Sequence, residues 1–318
     1  MTATGTTTTR VLQRPFRSEG LDCAGSLHLP ERAGAAPVII MAGGFGAIRA
    51  IILPAYLRRF VDAGYAVFDF DYRSFGDSAG SPRNRVDPKW QLQDWQAAVR
   101  HVQAMPEIDR SRIVLWGTSL SGGHVICTAA QFPDVAAVIA QHPHVNGLAS
   151  VLSSVKPWAA LKLGVLAWRD VIGGLFGKPY YVPVLAGPGE LAAMSHADAQ
   201  EGLQQISRAD GVVWENRVLA RCLFKMPSYS PARLAHRLEM PVLMTAGSRD
   251  RVTPEASARK AAARMRNAQF HVFDCHHFQP YYGEFLEREA SLQLAFLALH
   301  VSPRHLPPDS ALRERVFA

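Results

Sequence analysis

The stretch LWGTSLSGGH, residues 115–124, sets two serines among three glycines directly after an apolar run. A strand that ends in a sharp turn and passes straight into a helix lifts one side chain above the sheet edge, as the G-x-S-x-G elbow does. The residues two before and two after the lifted one must be small, because the turn presses them against neighbouring backbone. Two frames compete, and each misses one glycine. Centred on Ser119 the motif reads Gly117-Thr118-Ser119-Leu120-Ser121; centred on Ser121 it reads Ser119-Leu120-Ser121-Gly122-Gly123. The apolar run ends at Trp116, so Ser119 falls in the tight turn and Ser121 in the first turn of the helix. That register favours Ser119 as a nucleophile. The plainer alternative is that Ser119 only caps the helix.

Outward from this elbow the chain alternates between buried-strand runs and amphipathic helices. Residues 11–30 alternate weakly and predict two short antiparallel strands. PVIIMA (37–42), YAVFDFD (65–71), RIVLWG (112–117) and DVAAVIAQHP (134–143) are near-continuous apolar runs, the pattern of strands covered on both faces. AYLRRFVDAG (55–64) predicts a helix closed by Gly64. The segment 86–105 predicts one with Asp87 as N-cap and Pro88 at the first helical position. The rhythm stops over 146–238 and returns with PVLMTAG (241–247), a helix over 256–265, QFHVFD (269–274) and a closing amphipathic helix over 284–301. The fold class is therefore α/β: a mostly parallel central sheet flanked by helices. The expected division is a core over 1–145 and 239–318, interrupted by a mainly helical cap at 146–238. The tail 305–318 is expected to be loose or to pack on the surface.

Composition narrows the classes. The chain has 318 residues, is 48% hydrophobic and 19% charged, which fits a large folded core. Its net charge of +7 is spread over many helices, so a nucleic-acid partner is not expected. Cys23, Cys127, Cys222 and Cys275 form no CxxC pair and predict reduced thiols of a cytoplasmic protein. The start MTATGTTTTR has no apolar core of a secretory signal, and WAALKLGVLAW (158–168) is too short to span a bilayer. A homodimer is left open.

A serine hydroxyl needs a base, and the base an orienting acid. Asp250, in MTAGSRDRVTP, lies just past one buried strand; His276 and His277, in FDCHHFQPYY, lie just past the last. Both loops sit at C-terminal strand ends, the edge where sites of parallel sheets gather. Asp250 is favoured as the acid; it could instead cap the following helix, and Asp274 is the rival. An oxyanion hole needs two backbone donors. Leu120 N–H follows the nucleophile, and the loop GGFG (43–46) offers Phe45 N–H, with Gly44 second. That loop also partly matches a dinucleotide fingerprint with Asp69 or Asp71, but Arg49 stands where the third small residue belongs. No cofactor is expected. His142 and His144 lack a third ligand at metal spacing, so no metal is expected either; a pocket-lining place is left open for His142. His124 reads as a buried, satisfied histidine, and Trp116 as core. For any one of the aromatics Trp158, Trp168, Trp214, Phe176, Tyr180 and Tyr181 packing is the commoner reading and lid-lining the minority one; as a group they predict an apolar acyl or alkyl pocket.

The segments 44–83, 117–124 (GTSLSGGH), 249–254 (RDRVTP) and 276–285 (HHFQPYYGEF) resemble the α/β-hydrolase superfamily, near bacterial serine hydrolases of the acetyl xylan esterase and X-prolyl-peptidase-like branch. The resemblance covers about 38–141 and 241–301. It implies the α/β-hydrolase fold and a Ser-His-Asp triad. Its His-Phe pair followed by a tyrosine is matched by His277-Phe278 and Tyr281, which ranks His277 above His276. One departure is Gly43-Gly44, where relatives often carry His-Gly before the oxyanion residue. The expected activity is cleavage of a carboxylic ester, thioester or lactone of a small molecule with an apolar acyl or alkyl part, through an acyl-enzyme on Ser119. An acyltransferase or biosynthetic thioesterase, a peptidase, or a non-catalytic binding protein on the same scaffold are the alternatives.

Overall fold

The computed structural model describes residues 9–31, 35–207 and 211–303; the tail 305–318 lies outside them. Eight strands form the main sheet: β1 (Arg10–Gln13), β2 (Gly25–Leu29), β3 (Ala36–Ala42), β4 (Ala66–Phe70), β5 (Ile108–Thr118), β6 (Ala137–Gln141), β7 (Val242–Gly247) and β8 (Ala268–Phe273). Their order is β1-β2-β4-β3-β5-β6-β7-β8. β1 with β2 and β2 with β4 pair antiparallel, and all other neighbours pair parallel. The α/β class and the α/β-hydrolase topology expected from the sequence are both present.

The continuous apolar runs have a simple cause: both faces of the sheet are covered. Along β3, Val38, Ile40 and Ala42 enter one core, while Ile39 and Met41 enter the other. The first core is closed by α2 (Pro88–Gln103) and α3 (Leu120–Ala129) through Trp95, Val99, Val125 and Ile126. The second is closed by α1 (Arg49–Asp62) and the final helix, through Leu53, Tyr56, Phe60, Leu286 and Phe296.

Helix α1 begins six residues before the expected start at Ala55 and contains Pro54. The reason is a distant cap: Asp71 Oδ1 accepts a hydrogen bond from Arg49 N–H at 2.8 Å, which local sequence cannot reveal. Gly64 has φ +90°, a left-handed turn that closes the helix. α2 starts as read, with the Asp87 side chain accepting from Lys89 N–H. Residues 10–29 hold β1 and β2, with a further hairpin of Phe16–Ser18 against Leu21–Cys23 between them.

Between β6 and β7 the described chain adds no strand to the main sheet. It forms α4 (Gly147–Ser154), α5 (Pro157–Leu175) and α6 (Ala197–Ser207). Two short ladders join them, Tyr181–Val182 with Val218–Leu219 and Leu185–Ala186 with Met194–Ser195. Two 3₁₀ turns, Ala220–Phe224 and Pro231–Arg237, lead back to β7. α7 (Glu255–Ala262) and α8 (Gly283–His300) complete the core. Among the described residues no helix is long and apolar enough to cross a membrane.

Candidate active site

Ser119 sits where β5 hands over to α3, with φ +55° and ψ −121°. A non-glycine residue rarely holds this conformation, and it is kept here by its surroundings. Ser119 N–H donates to Gln141 O at 3.0 Å, and Ser119 O accepts from His144 N–H at 2.8 Å. Gly117 explains why the preceding position is small: a Cβ there would lie 2.3 Å from Ser121 O. At Gly123 a Cβ would lie 2.3 Å from His144 O, so α3 can approach the loop after β6 only without one. The Ser119 side chain makes no capping bond to the helix. Ser121 is fully buried, and its Oγ accepts from Tyr72 Oη at 3.0 Å, which in turn accepts from Trp95 Nε1 at 2.9 Å.

Two further strand ends converge on Ser119. His277, past β8, brings Nε2 to 2.9 Å from Ser119 Oγ and Nδ1 to 2.7 Å from Asp250 Oδ2. Asp250, past β7, is buried and fully engaged. Its Oδ1 accepts from Val252 N–H and Thr253 N–H, both at 2.8 Å, and the Thr253 hydroxyl lies 2.8 Å from Oδ2. Burial alone would raise its pKa; the charge on His277 and hydrogen bonds from His142 and His277 overrule it and hold the carboxyl well below the usual range. An ionised acceptor at Nδ1 keeps the imidazole proton there and leaves Nε2 free to accept from the hydroxyl.

The rivals are placed elsewhere. Asp274 has an 83% exposed side chain and pairs with Arg249. His276 turns toward Glu201 of α6, with Nε2 3.3 Å from Oε2. Asp71 pairs with Arg49 and Asp69 with His28, so both acids of the dinucleotide reading belong to the scaffold around α1. His124 is buried between Tyr229 Oη, 2.6 Å, and Gln91 Oε1, 3.2 Å; burial pushes its pKa down to about 3. His144 stacks on Tyr229 and is held at about 4 by burial and then by the His277 charge.

Leu120 opens α3, so its N–H has no acceptor within the helix. The loop after β3 runs beside Ser119: a Cβ on Gly44 would lie 3.0 Å from Ser119 Cβ. Phe45 and Ser119 border two cavities. The larger, about 300 Å³, runs under α4 and α5 past Val155, Leu163, Met194 and Phe224. The smaller, about 130 Å³, is bordered by His277, Trp214, Phe278 and Tyr281. The expected apolar pocket is present, while most of the aromatic set lies outside it. Trp158, Trp168 and Phe176 are 46%, 60% and 75% exposed, Arg169 stacks over Tyr180 and Arg217 over Tyr181, and only Trp214 borders either of these two cavities. Helical spacing reports one face of a helix and does not say which face meets a cavity.

The sequence reading missed what lies behind Asp250. His142 borders neither cavity; its Nδ1 is 3.4 Å from Asp250 Oδ2 and its Nε2 is 2.9 Å from Glu289 Oε1 of α8. The available signal was Glu289 and Gln293, two polar residues four apart on the face of α8 that is otherwise apolar and buried. His142, Asp250 and His277 offer ligand atoms within 4.8 Å of one another, close enough for a metal ion. The same atoms bond to one another and to Ser119, so a metal there would take the histidine from the serine.

Fold and site define a serine hydrolase of the α/β-hydrolase fold, an enzyme of ester-type bonds. The chain belongs to the serine aminopeptidase S33 family, whose model matches residues 35–278. It is similar to the quorum-quenching protein AidA of Acinetobacter baumannii (strain MDR-ZJ06), 39% identical over 283 residues, 89% of this chain and 92% of that protein. It is also similar to the thiohydrolase apmlB of Arthrinium phaeospermum, 30% identical over 230 residues, 69% of this chain and 72% of that protein. The polyketide transferase grgF of Penicillium sp is 28% identical over 215 residues, 67% of this chain and 69% of that protein. A crystal structure of the α/β hydrolase GrgF from Penicillium sp. sh18 superposes with a TM-score of 0.76 at 24% identity, covering 92% of this chain and 99% of that one.

Proposed function

We propose that Ser119 attacks the carbonyl carbon of an ester, thioester or lactone while His277 Nε2 takes its proton and Asp250 steadies the imidazolium. The amides of Leu120 and Phe45 hold the oxyanion. The tetrahedral intermediate collapses, His277 returns the proton to the leaving oxygen or sulfur, and the acyl group stays on Ser119. Water deprotonated by His277 then releases the acid. The observation that carries this reading is the continuous chain Ser119 Oγ, His277 Nε2, His277 Nδ1, Asp250 Oδ2, with contacts of 2.9 and 2.7 Å.

The two cavities divide the substrate. The leaving group must meet His277 Nε2, so it occupies the smaller cavity that His277 borders. The acyl chain enters the larger, apolar one, which His277 does not border. Segment 146–238 acts as the cap that shapes both. A thiohydrolase and a polyketide transferase among the relatives support an acyl-thioester donor and keep acyl transfer open as a second reading. The smaller cavity beside His277 would hold the acceptor in that case. Four free, buried cysteines support a cytoplasmic location. The exposed row Leu161, Val165, Trp168, Ile172 and Leu175 on α5 supports a homodimer through that helix.

The test is a fluorophosphonate probe together with p-nitrophenyl esters of graded chain length. Labelling and turnover in the wild type and in Ser121→Ala, both lost in Ser119→Ala, are expected. Labelling that survives Ser119→Ala, or an unlabelled wild type, overturns the assignment. Product ratios that follow added alcohol or amine in place of water favour the transferase.

A further inference from the structure

Behind the serine and its histidine the hydrogen-bonded chain does not stop at Asp250. It continues through His142 to Glu289 and then to Gln293, which donates to Gln141 Oε1 at 2.7 Å and accepts from Trp116 Nε1 at 2.8 Å. Each side chain in this row is buried. Both nitrogens of the His142 ring point at carboxylate oxygens, 3.4 Å at Asp250 and 2.9 Å at Glu289. A ring nitrogen that faces an ionised carboxylate must donate to it, so two such contacts call for a proton on each nitrogen. His142 is held there at a backbone cost. Its φ is +43°, in the left-handed region. Its N–H donates to Thr245 O at 3.0 Å, and its carbonyl accepts from the Thr253 hydroxyl at 3.0 Å. Gly247 makes the room, since a Cβ there would lie 3.2 Å from His142 Cε1.

We infer that His142 is a positioning residue, held as an imidazolium between Asp250 and Glu289, that orients the Asp250 carboxylate and sets a positive charge beside His277. The inference rests on the roles proposed above for Ser119, His277 and Asp250. The groups facing His142 are Asp250 from the loop after β7, Glu289 from α8, and His277 and the Cys275 thiol from the loop after β8. On its far side Glu289 also faces the phenols of Tyr56 and Tyr281 and the ring of His271. Burial opposes the charge on His142, but its hydrogen bonds to Asp250, Cys275 and Glu289 outweigh it and raise its pKa well above the ordinary histidine value. The physical consequence follows from charge. The ring centroids of His142 and His277 are 6.4 Å apart. A cation at that distance opposes a second positive charge on His277.

The experiment measures the rate of inactivation by a fluorophosphonate between pH 5 and 10, because the acid limb of that profile reports His277 losing its proton. His142→Gln removes the cation but leaves Glu289 without its partner. The double variant His142→Gln/Glu289→Gln replaces the ion pair by a neutral hydrogen-bonded pair and guards against misfolding of the single one. An acid limb moved to higher pH by about one unit is expected in soluble His142→Gln, and a smaller move in the same direction in the double variant, where loss of the Glu289 charge offsets part of it. An acid limb that stays in place or moves down in the double variant overturns the inference even if the rate falls, since a merely structural role lowers the rate without moving the limb. ¹⁵N spectra of histidine in the wild type give an independent reading: His142 is expected to remain imidazolium at pH 8, and a neutral ring there overturns the inference. A wild type that is never labelled overturns the serine hydrolase assignment instead, so the two failures are separable.

Discussion

Replacing Asp250 by asparagine tests the proposed mechanism at its least visible member, and the structure fixes how the amide must sit. Val252 N–H and Thr253 N–H both donate to Oδ1. An amide NH₂ in that place would face two donors, so the asparagine oxygen stays there and the NH₂ occupies the Oδ2 position. There it points at His277 Nδ1, now 2.7 Å from Asp250 Oδ2. To accept from the amide, Nδ1 must be unprotonated, which moves the imidazole proton to Nε2. That nitrogen then donates to Ser119 Oγ and can no longer take its proton. Two unit charges about 4 Å apart at an effective dielectric near 20 interact by roughly 4 kcal/mol, so losing the carboxylate charge alone removes about three decades of rate. The tautomer change brings the expected loss to about 10⁴-fold, the magnitude seen for this substitution in serine proteases. The assay is kcat/KM for a p-nitrophenyl ester at pH 8, with circular dichroism to show an intact fold. Asp274→Asn, altered on an exposed side chain, is the control and should stay within about twofold. A folded Asp250→Asn enzyme within tenfold of the wild type would refute the reasoning.

Other expectations follow from single contacts. Gly117→Ala puts a carbon 2.3 Å from Ser121 O; the backbone must shift by most of an ångström, and a loss of about 10²-fold in labelling rate is expected with the serine still present. Normal labelling would show that the elbow tolerates a side chain there. Leu163→Trp fills the larger cavity from α5 and should move the optimum of the p-nitrophenyl series to shorter acyl chains; an unchanged profile would place the acyl group elsewhere. Ser121→Ala takes the acceptor from Tyr72 Oη and should cost about 1–3 kcal/mol in urea unfolding while labelling persists. The buried His124 has its folded pKa lowered to about 3, below the unfolded value of about 6.5. Between these values only the unfolded chain takes up the proton, so its contribution to stability is full above pH 6.5 and falls as the pH drops through that window. The slope is up to about 1.4 kcal/mol per pH unit. His124→Gln should flatten the fall in urea midpoint between pH 6.5 and 4, and an equal slope in both proteins would place the titration in other groups.

How much of this was legible in the sequence depends on the range of the interaction. Continuous apolar runs report burial on two faces, and their alternation with helices fixes a parallel sheet with Ser119, Asp250 and His277 at the same strand ends. Pro88 after Asp87 sets the start of α2 by local chemistry, and Gly117 records the tightness of a turn. The start of α1 was misread because its cap is Asp71, 22 residues away. Which side chains wall the cavities is not legible, because periodicity gives a helix its faces without saying what each face meets. The polar pair Glu289 and Gln293 on the buried face of α8 signals a buried polar row, but not that its partner is His142, 147 positions away. The sequence by itself thus determined the fold class, the elbow and the order of the three side chains around it. Only the tertiary structure decided which serine meets which histidine, where the cavities lie and what stands behind the acid, because hydrogen bonds and packing are set by distance in space and not along the chain.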